Sequence, residues 1–518
     1  MSQTAPPQPP AVNKWLVTIA VMAGTFMEIV DTTVVNVALP HMAGSLSAGV
    51  DEATWVLTSY LISNAIVLPI TGWLSALFGR KRFLMICLAL FTFTSVLCGS
   101  APTLGSLIIF RIFQGVGGGA LQPISQAILL ETFPVKERGM AMALWGLGVV
   151  LAPIVGPVLG GWITDNLSWR WAFYINLPVG LLSLVMTYFF IYDPDYVRGQ
   201  RAGRIDYLGL GLLVVALGAL QIVLDKGERE DWFSSAFIVR LSITSVAAMA
   251  LLIYWELKTR EPVVELRLFK ERNYAAGTII MFFFGFVLYG SIVLLPLYLQ
   301  TLMGYDATTA GWALAYGGIG SLIIMPIVGR LTQVIDNRWL VALGLAINAL
   351  AVYLMSQYNT QIDYFTAWFP RFIQGFGLGT TFVSLTTLTM SRIPQEKMGN
   401  ATGIFNLMRN LGGSFGIATA TTLLSRRAQF HQTRLVERIN PLSPAFQEWQ
   451  QRVGSLFPQL GPDWRPWEGR EAMAALYGEV QRQANMLAFC DDYWFFTILF
   501  LCLLPLVLLM RRPPAPRG

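Results

Sequence analysis

Of 518 residues, 54% are hydrophobic and 13% are charged, where a soluble protein carries about 25% charged residues. A water-exposed surface cannot be built from that inventory, and apolar stretches long enough to cross a bilayer recur from Trp15 almost to the C-terminus. The net charge of +6 sits in short clusters between those stretches, which encodes membrane orientation and argues against a nucleic-acid partner.

In chain order, residues 1–14 hold a Pro and Gln run that predicts a cytoplasmic tail rather than a cleaved signal. Long, uniformly apolar segments satisfy their backbone in hydrocarbon as helices. Spans are predicted near 15–39, 53–77, 83–101, 105–130, 138–162 and 171–192, an N-terminal six-helix bundle over 15–192. Two inserted spans, near 206–224 and 235–256, occupy 193–272. Six more, near 274–302, 308–330, 339–356, 364–390, 399–424 and 490–510, make a C-terminal bundle over 273–518. Clusters such as Arg80, Lys81 and Arg82, Lys136 and Arg138, and Arg511 and Arg512 place the alternate loops and both termini in the cytoplasm.

The segment 425–489 is long for an outer loop. Met473, Leu476, Tyr477, Val480, Ala484 and Leu487 recur at helical spacing and predict an amphipathic helix entering the last span, while 425–438 extends the preceding span outward. The four cysteines, Cys87, Cys98, Cys490 and Cys502, lack metal-ligand spacing. No Gly-x-x-x-x-Gly-Lys-Ser/Thr phosphate loop is present, so neither metal nor nucleotide cofactor is expected.

An internal repeat organises the chain. Arg111-Ile112-Phe113-Gln114-Gly115-Val116-Gly117 returns 260 residues later as Arg371-Phe372-Ile373-Gln374-Gly375-Phe376-Gly377, and the same offset aligns Gly139 with Gly399 and Gly156 with Gly416. Parallel six-helix repeats of this kind place a substrate site near the midplane between the halves.

Several motifs carry a family resemblance over nearly the whole chain: Asp31-Thr32-Thr33-Val34-Val35-Asn36-Val37-Ala38-Leu39-Pro40; Gly72, Leu74, Gly79, Arg80, Lys81 and Arg82; Arg111, Gln114 and Gly115; Gly156-Pro157-Val158-Leu159-Gly160-Gly161; and Asn176-Leu177-Pro178-Val179-Gly180. With these the chain resembles the major facilitator superfamily, and within it the fourteen-helix drug:proton antiporters of the EmrB/QacA type. In the glycine-and-basic motif Ala76 and Leu77 stand where the family has Asp and Arg. The resemblance implies an all-α integral membrane fold with fourteen transmembrane helices arranged 6 + 2 + 6, in the bacterial inner membrane. It also implies export, through the motif Gly156, Pro157, Gly160 and Gly161, and a conformational role for Gly72, Gly79, Arg80, Lys81 and Arg82. The expected partners are lipophilic small molecules, protons, the lipid bilayer, and a periplasmic adaptor (membrane fusion protein) leading to an outer-membrane channel. Trp449, Trp464 and Trp467 in the long outer loop are the expected adaptor surface, beside a plainer reading in which the two helical extensions pack as a hairpin.

An ion at the bilayer centre costs about 2.5–3.5 kcal/mol even on the lenient insertion scale, so Glu28, Asp31, Arg111, Arg371 and Arg409 each need a partner or a task. In the resembling fold, helices 1 and 4 line the central cavity, which pairs Asp31 with Arg111 as a proton-coupling switch. Glu28, three residues earlier, is a second proton site or a neutral hydrogen-bonded acid. Arg371 has no acid between 273 and 305 to play the part of Asp31, and a carbonyl-bound structural role is expected for it. The substrate pocket is predicted from Tyr60, Asn64, Gln122, Trp145, Tyr289, Phe405, Asn406 and Arg409. Together these predict proton-coupled export of hydrophobic drugs without any cofactor. A metabolite exporter on the same fold stays open. A membrane enzyme or sensor is disfavoured, because just two histidines, His41 and His431, occur and no nucleophile and base come together.

Overall fold

The computed structural model describes residues 13–193, 206–260, 262–437, 439, 444, 447, 448 and 470–512. Among them there is no strand, and fourteen long helices account for most of these residues. The first bundle holds α1 (Lys14–Ser45), α2 (Trp55–Phe78), α3 (Arg80–Gly99), α4 (Leu104–Thr132, interrupted at Ala120), α5 (Arg138–Asn166) and α6 (Trp171–Phe190). Next come α7 (Tyr207–Lys226) and α8 (Ala236–Lys258), packed on each other. The second bundle holds α9 (Arg272–Thr301), α10 (Ala307–Leu331), α11 (Asn337–Met355), α12 (Tyr364–Met390), α13 (Met398–Glu437) and α14 (Arg470–Leu508).

Local chemistry starts these helices where the apolar runs begin. Side chains of Asn13, Asp206, Glu271, Asp306, Asp336 and Asp363 accept from backbone N–H groups of the first turn, and Thr103 with Ser106 forms a capping box ahead of α4. At the exposed start of α10, hydrogen bonds from the Thr309 hydroxyl and N–H hold the Asp306 carboxyl below its usual range. Gly79, with φ of +83°, makes the α2–α3 turn in a conformation that a side chain would strain.

Twelve of the helices are long and apolar enough to cross a membrane by length and composition. The other two, α12 and α13, are long enough but diluted by Gly, Thr, Asn and Arg, and they are packed inside the bundle. Composition thus supports twelve of the fourteen predicted spans, and α12 and α13, with less hydropathy, are helices whose surroundings are largely protein.

The packing repeats as the sequence does. The contacts of α1 with α5, α2 with α4 and α3 with α6 recur as α9 with α13, α10 with α12 and α11 with α14. The two bundles meet through α2 on α13 and α5 on α10, again a related pair of contacts. They close at the end that carries Lys14 and Met510: Gly72 lies against Asn400, Gly403 against the Leu68 carbonyl, and Gly139 against Thr332. A Cβ on Gly72 would sit inside the contact radius of the Asn400 backbone, which cannot move aside as a side-chain tip can.

Gly72→Leu is therefore expected to prop this end open. A cysteine placed at Asn406, with the four native cysteines replaced, should then react several-fold faster with a membrane-impermeant thiol reagent supplied on that side. Equal labelling rates with and without Gly72→Leu would show that the contact does not set the closure.

The outward helical extensions predicted on either side of the long loop are present, α13 running to Glu437 and α14 starting at Arg470. They pack together, with Asp491 on α14 paired to Arg427 at 2.5 Å and to His431 at 2.7 Å on α13. Trp449, Trp464 and Trp467 lie outside the described residues, as do the tail over 1–12 and most of the loop over 440–469.

Candidate functional site

α1 is apolar around most of its surface, so its acids are conspicuous. Asp31 is fully buried, and so is Arg111 on α4. The guanidinium Nη1 donates to Asp31 Oδ2 at 2.6 Å and to Gln114 Oε1 at 2.8 Å, while Nε donates to the Val56 carbonyl at 3.1 Å. The other carboxylate oxygen, Oδ1, accepts from Gln114 Nε2 at 3.0 Å and from Asn176 Nδ2 at 2.6 Å. Three donors, one of them cationic, thus converge on one carboxylate and satisfy both of its oxygens. The ring of Tyr60 lies 4.1 Å from the guanidinium carbon and takes up part of the remaining positive charge.

Tyr60 also reaches the second acid. Its hydroxyl donates to Glu28 Oε1 at 2.9 Å, Asn64 Nδ2 donates to the same oxygen at 3.1 Å, and Gln122 Nε2 donates to Oε2 at 2.7 Å. Gln122 Oε1 in turn accepts from Arg409 Nη2. Arg409 belongs to α13, so this hydrogen bond crosses from one bundle to the other. Asn406, one turn earlier, donates to Gln126 Oε1 at 2.6 Å across the same interface, and Trp145 of α5 stacks on Phe382 of α12 at 5.6 Å with the Arg409 guanidinium over its ring.

The structure thus places Asp31, Arg111, Tyr60, Glu28, Gln122 and Arg409 in one continuous polar chain from the N-terminal to the C-terminal bundle. Of the predicted pocket residues it gathers Tyr60, Asn64 and Gln122 on Glu28, and Arg409, Asn406 and Trp145 at the adjoining interface between the bundles. Phe405 is buried on α13, and Tyr289 lies against Gly413 in the C-terminal bundle; neither belongs to this network. Sequence reasoning missed Asn176 and Gln126 as partners, although Asn176 opens a quoted motif. It missed Asp492 on α14 as well, a buried acid whose oxygens accept from no donor among the described residues.

The motif glycines serve packing. Gly156 and Gly160 bring α5 onto Thr33 and Val34 of α1, beside Asp31, while a Cβ on Gly161 would meet open space and Pro157 is exposed. In the glycine-and-basic motif, the carboxylate that Ala76 lacks is supplied from elsewhere: Arg80 pairs with Glu131 of α4 at 2.5 Å and also contacts Ser75 at 3.3 Å. Lys81 binds the turn after α6, its N–H donating to Asp193 at 2.8 Å and its ammonium to the Tyr188 carbonyl at 2.5 Å. Arg82 makes no hydrogen bond or ion pair among the described residues.

Comparison with known proteins agrees with this architecture. Residues 21–417 match the family model of the Major Facilitator Superfamily. The chain is 37% identical to the multidrug export protein EmrB of Escherichia coli, over 96% of this chain and 95% of that one. It is 36% identical to the fatty acid resistance protein FarB of Neisseria gonorrhoeae, over 98% of each. Among solved structures, the human organic anion transporter TETRAN superposes with a TM-score of 0.59 at 14% identity, covering 95% of this chain and 100% of that one. The proton:xylose symporter XylE superposes with a TM-score of 0.58 at 15% identity, covering 95% and 94%. The chain belongs to the Major Facilitator Superfamily and is a multi-pass membrane transporter, not an enzyme.

Proposed function

We propose that this protein exports hydrophobic drugs or toxic compounds across the bacterial inner membrane in exchange for protons, with fourteen spans and both termini in the cytoplasm. The observation that carries the reading is the buried Asp31–Arg111 pair joined through Tyr60, Glu28 and Gln122 to Arg409 of the opposite bundle, in a chain 37% identical to a multidrug export protein. The mechanism needs no cofactor. Protonation of Asp31 removes the charge that holds Arg111, and the rearranged donors act through Tyr60 and Glu28 on the Gln122–Arg409 bond, one of the polar links between α4 and α13. Charge state then selects between two arrangements of the bundles. In this arrangement the cytoplasmic end is closed, so protons enter and cargo leaves on the outer side.

One proton moving inward through 100 mV supplies about 2.3 kcal/mol and each pH unit about 1.4. Together that sustains a gradient of a few hundredfold for a neutral compound. The test is efflux from proteoliposomes under an imposed pH gradient, with lipophilic cations, neutral drugs and long-chain carboxylates, the last because of the FarB likeness. Transport that ignores a collapsed gradient would refute proton coupling.

The adaptor has its own arm. Replacing residues 440–466 with a short Gly/Ser linker is expected to spare efflux in liposomes while abolishing drug resistance in cells and cross-linking to a periplasmic adaptor. Resistance and cross-linking that survive the replacement would remove this segment as the adaptor's main contact.

A further inference from the structure

The 260-residue offset that aligns the two arginine motifs also carries Asp31 onto Ser291 and Gln114 onto Gln374. The geometry follows. In the N-terminal bundle Arg111 Nη1 donates to Asp31 and to Gln114 Oε1, and Gln114 Nε2 donates to Asp31. In the C-terminal bundle Arg371 Nη1 donates to Ser291 Oγ at 3.1 Å and to Gln374 Oε1 at 2.5 Å, and Gln374 Nε2 donates to Ser291 Oγ at 3.3 Å. The same three bonds are made, with a neutral hydroxyl standing where the first bundle has a carboxylate.

That exchange leaves an electrostatic imbalance. Arg371 is 5% exposed and forms no ion pair among the described residues, and its Nε has no acceptor. Tyr493 of α14, within electrostatic reach of Arg371, is fully buried and its hydroxyl has no partner either. Tyr358 is engaged elsewhere, donating to the Ala367 carbonyl at 2.6 Å, and the Ser291 hydroxyl donates to the Leu288 carbonyl at 3.0 Å. An isolated buried guanidinium is costly, and a counter-charge with matching acceptors relieves it. Serine reaches one bond less far than aspartate and carries one oxygen instead of two, so the cation and amide converge where no side-chain carboxylate of α9 reaches. Arginine and amide donors in this arrangement already hold a carboxylate in the other bundle.

We propose that Arg371 and Gln374, beside Ser291, bind a small monovalent anion, either chloride or a carboxylate group. The site is distinct from the Asp31 network and does not depend on what the protein exports.

The test is thermal unfolding of the full chain in lipid nanodiscs at fixed ionic strength, with isethionate replaced stepwise by chloride or by acetate. The wild type is expected to melt several degrees higher, saturably, in at least one of the two small anions. A response to chloride alone assigns an inorganic ion, and one to acetate alone assigns the carboxylate of an organic ligand. Arg371→Gln should lose the anion-specific response. Because that variant risks misfolding, Ser291→Asp supplies the second reading: it places a covalent carboxylate as Asp31 does, and should melt in isethionate as high as the wild type in its preferred anion, with no further response. Identical melting of the wild type in all three anions would overturn the site. So would a Ser291→Asp protein that is destabilised and still responds as the wild type does.

Discussion

Asp31→Asn is expected to abolish proton-driven efflux in proteoliposomes while substrate binding to the purified protein stays measurable. The amide keeps the shape of the carboxylate, and its single oxygen can accept from Gln114 and Asn176 as Oδ1 of Asp31 does. What it cannot do is exchange a proton with the outer side or answer the charge of Arg111, 2.6 Å away. The driving force of about 3.7 kcal/mol, from 100 mV and one pH unit, then has no group to act on. The accumulation ratio should fall from a few hundredfold to unity. Residual facilitated exchange down a substrate gradient is compatible with the mechanism, because binding and rocking do not require titration. Uphill transport by Asp31→Asn at the wild-type rate would sink it.

Much of this architecture is legible in the sequence because two signals are strong. Twenty-residue apolar runs admit few other solutions, and the repeated Arg-x-x-Gln-Gly segment fixes which helix of one half answers which of the other. Boundaries are less legible. α1 continues through Pro40 to Ser45, beyond the predicted end at 39, since helical hydrogen bonding does not stop where hydrocarbon does, whereas the extension of α13 to Glu437 is readable from the pattern over 425–438. Ions announce themselves by their cost in lipid, so Asp31, Glu28, Arg111 and Arg409 were visible. Neutral amides and hydroxyls carry no such mark: Asn176 and Gln126 emerge as partners from geometry, and Ser291 stands out because the 260-residue offset places it where the first half has Asp31. Arg371 shows the limit clearly: a carbonyl partner is expected for it, and it is instead held by side chains, Ser291 and Gln374, in a copy of the Arg111 arrangement.

That copy sharpens the expectation for stability when the Asp31–Arg111 pair is broken from either side. Removing one partner of a buried ion pair typically costs about 3–5 kcal/mol, because the other charge is left behind. Here the two sides are unequal. In Asp31→Asn the arginine keeps the Val56 carbonyl at 3.1 Å, Gln114 at 2.8 Å and the Tyr60 ring, surroundings much like those Arg371 already endures with neutral acceptors. In Arg111→Ala the carboxylate keeps just two amide donors, and truncation opens a cavity beside Tyr60 and Phe173. Arg111→Ala should therefore lie at the upper end of that range and Asp31→Asn below its lower end. The double variant Asp31→Asn with Arg111→Gln, two amides that can bond to each other, should be more stable than Arg111→Ala and than Arg111→Gln alone. A double-mutant cycle on the three amide variants, read from denaturant or thermal unfolding in nanodiscs, measures the coupling. Strictly additive losses would mean that the pair, although 2.6 Å apart, contributes no mutual stabilisation and that charge alone does not hold α1 against α4.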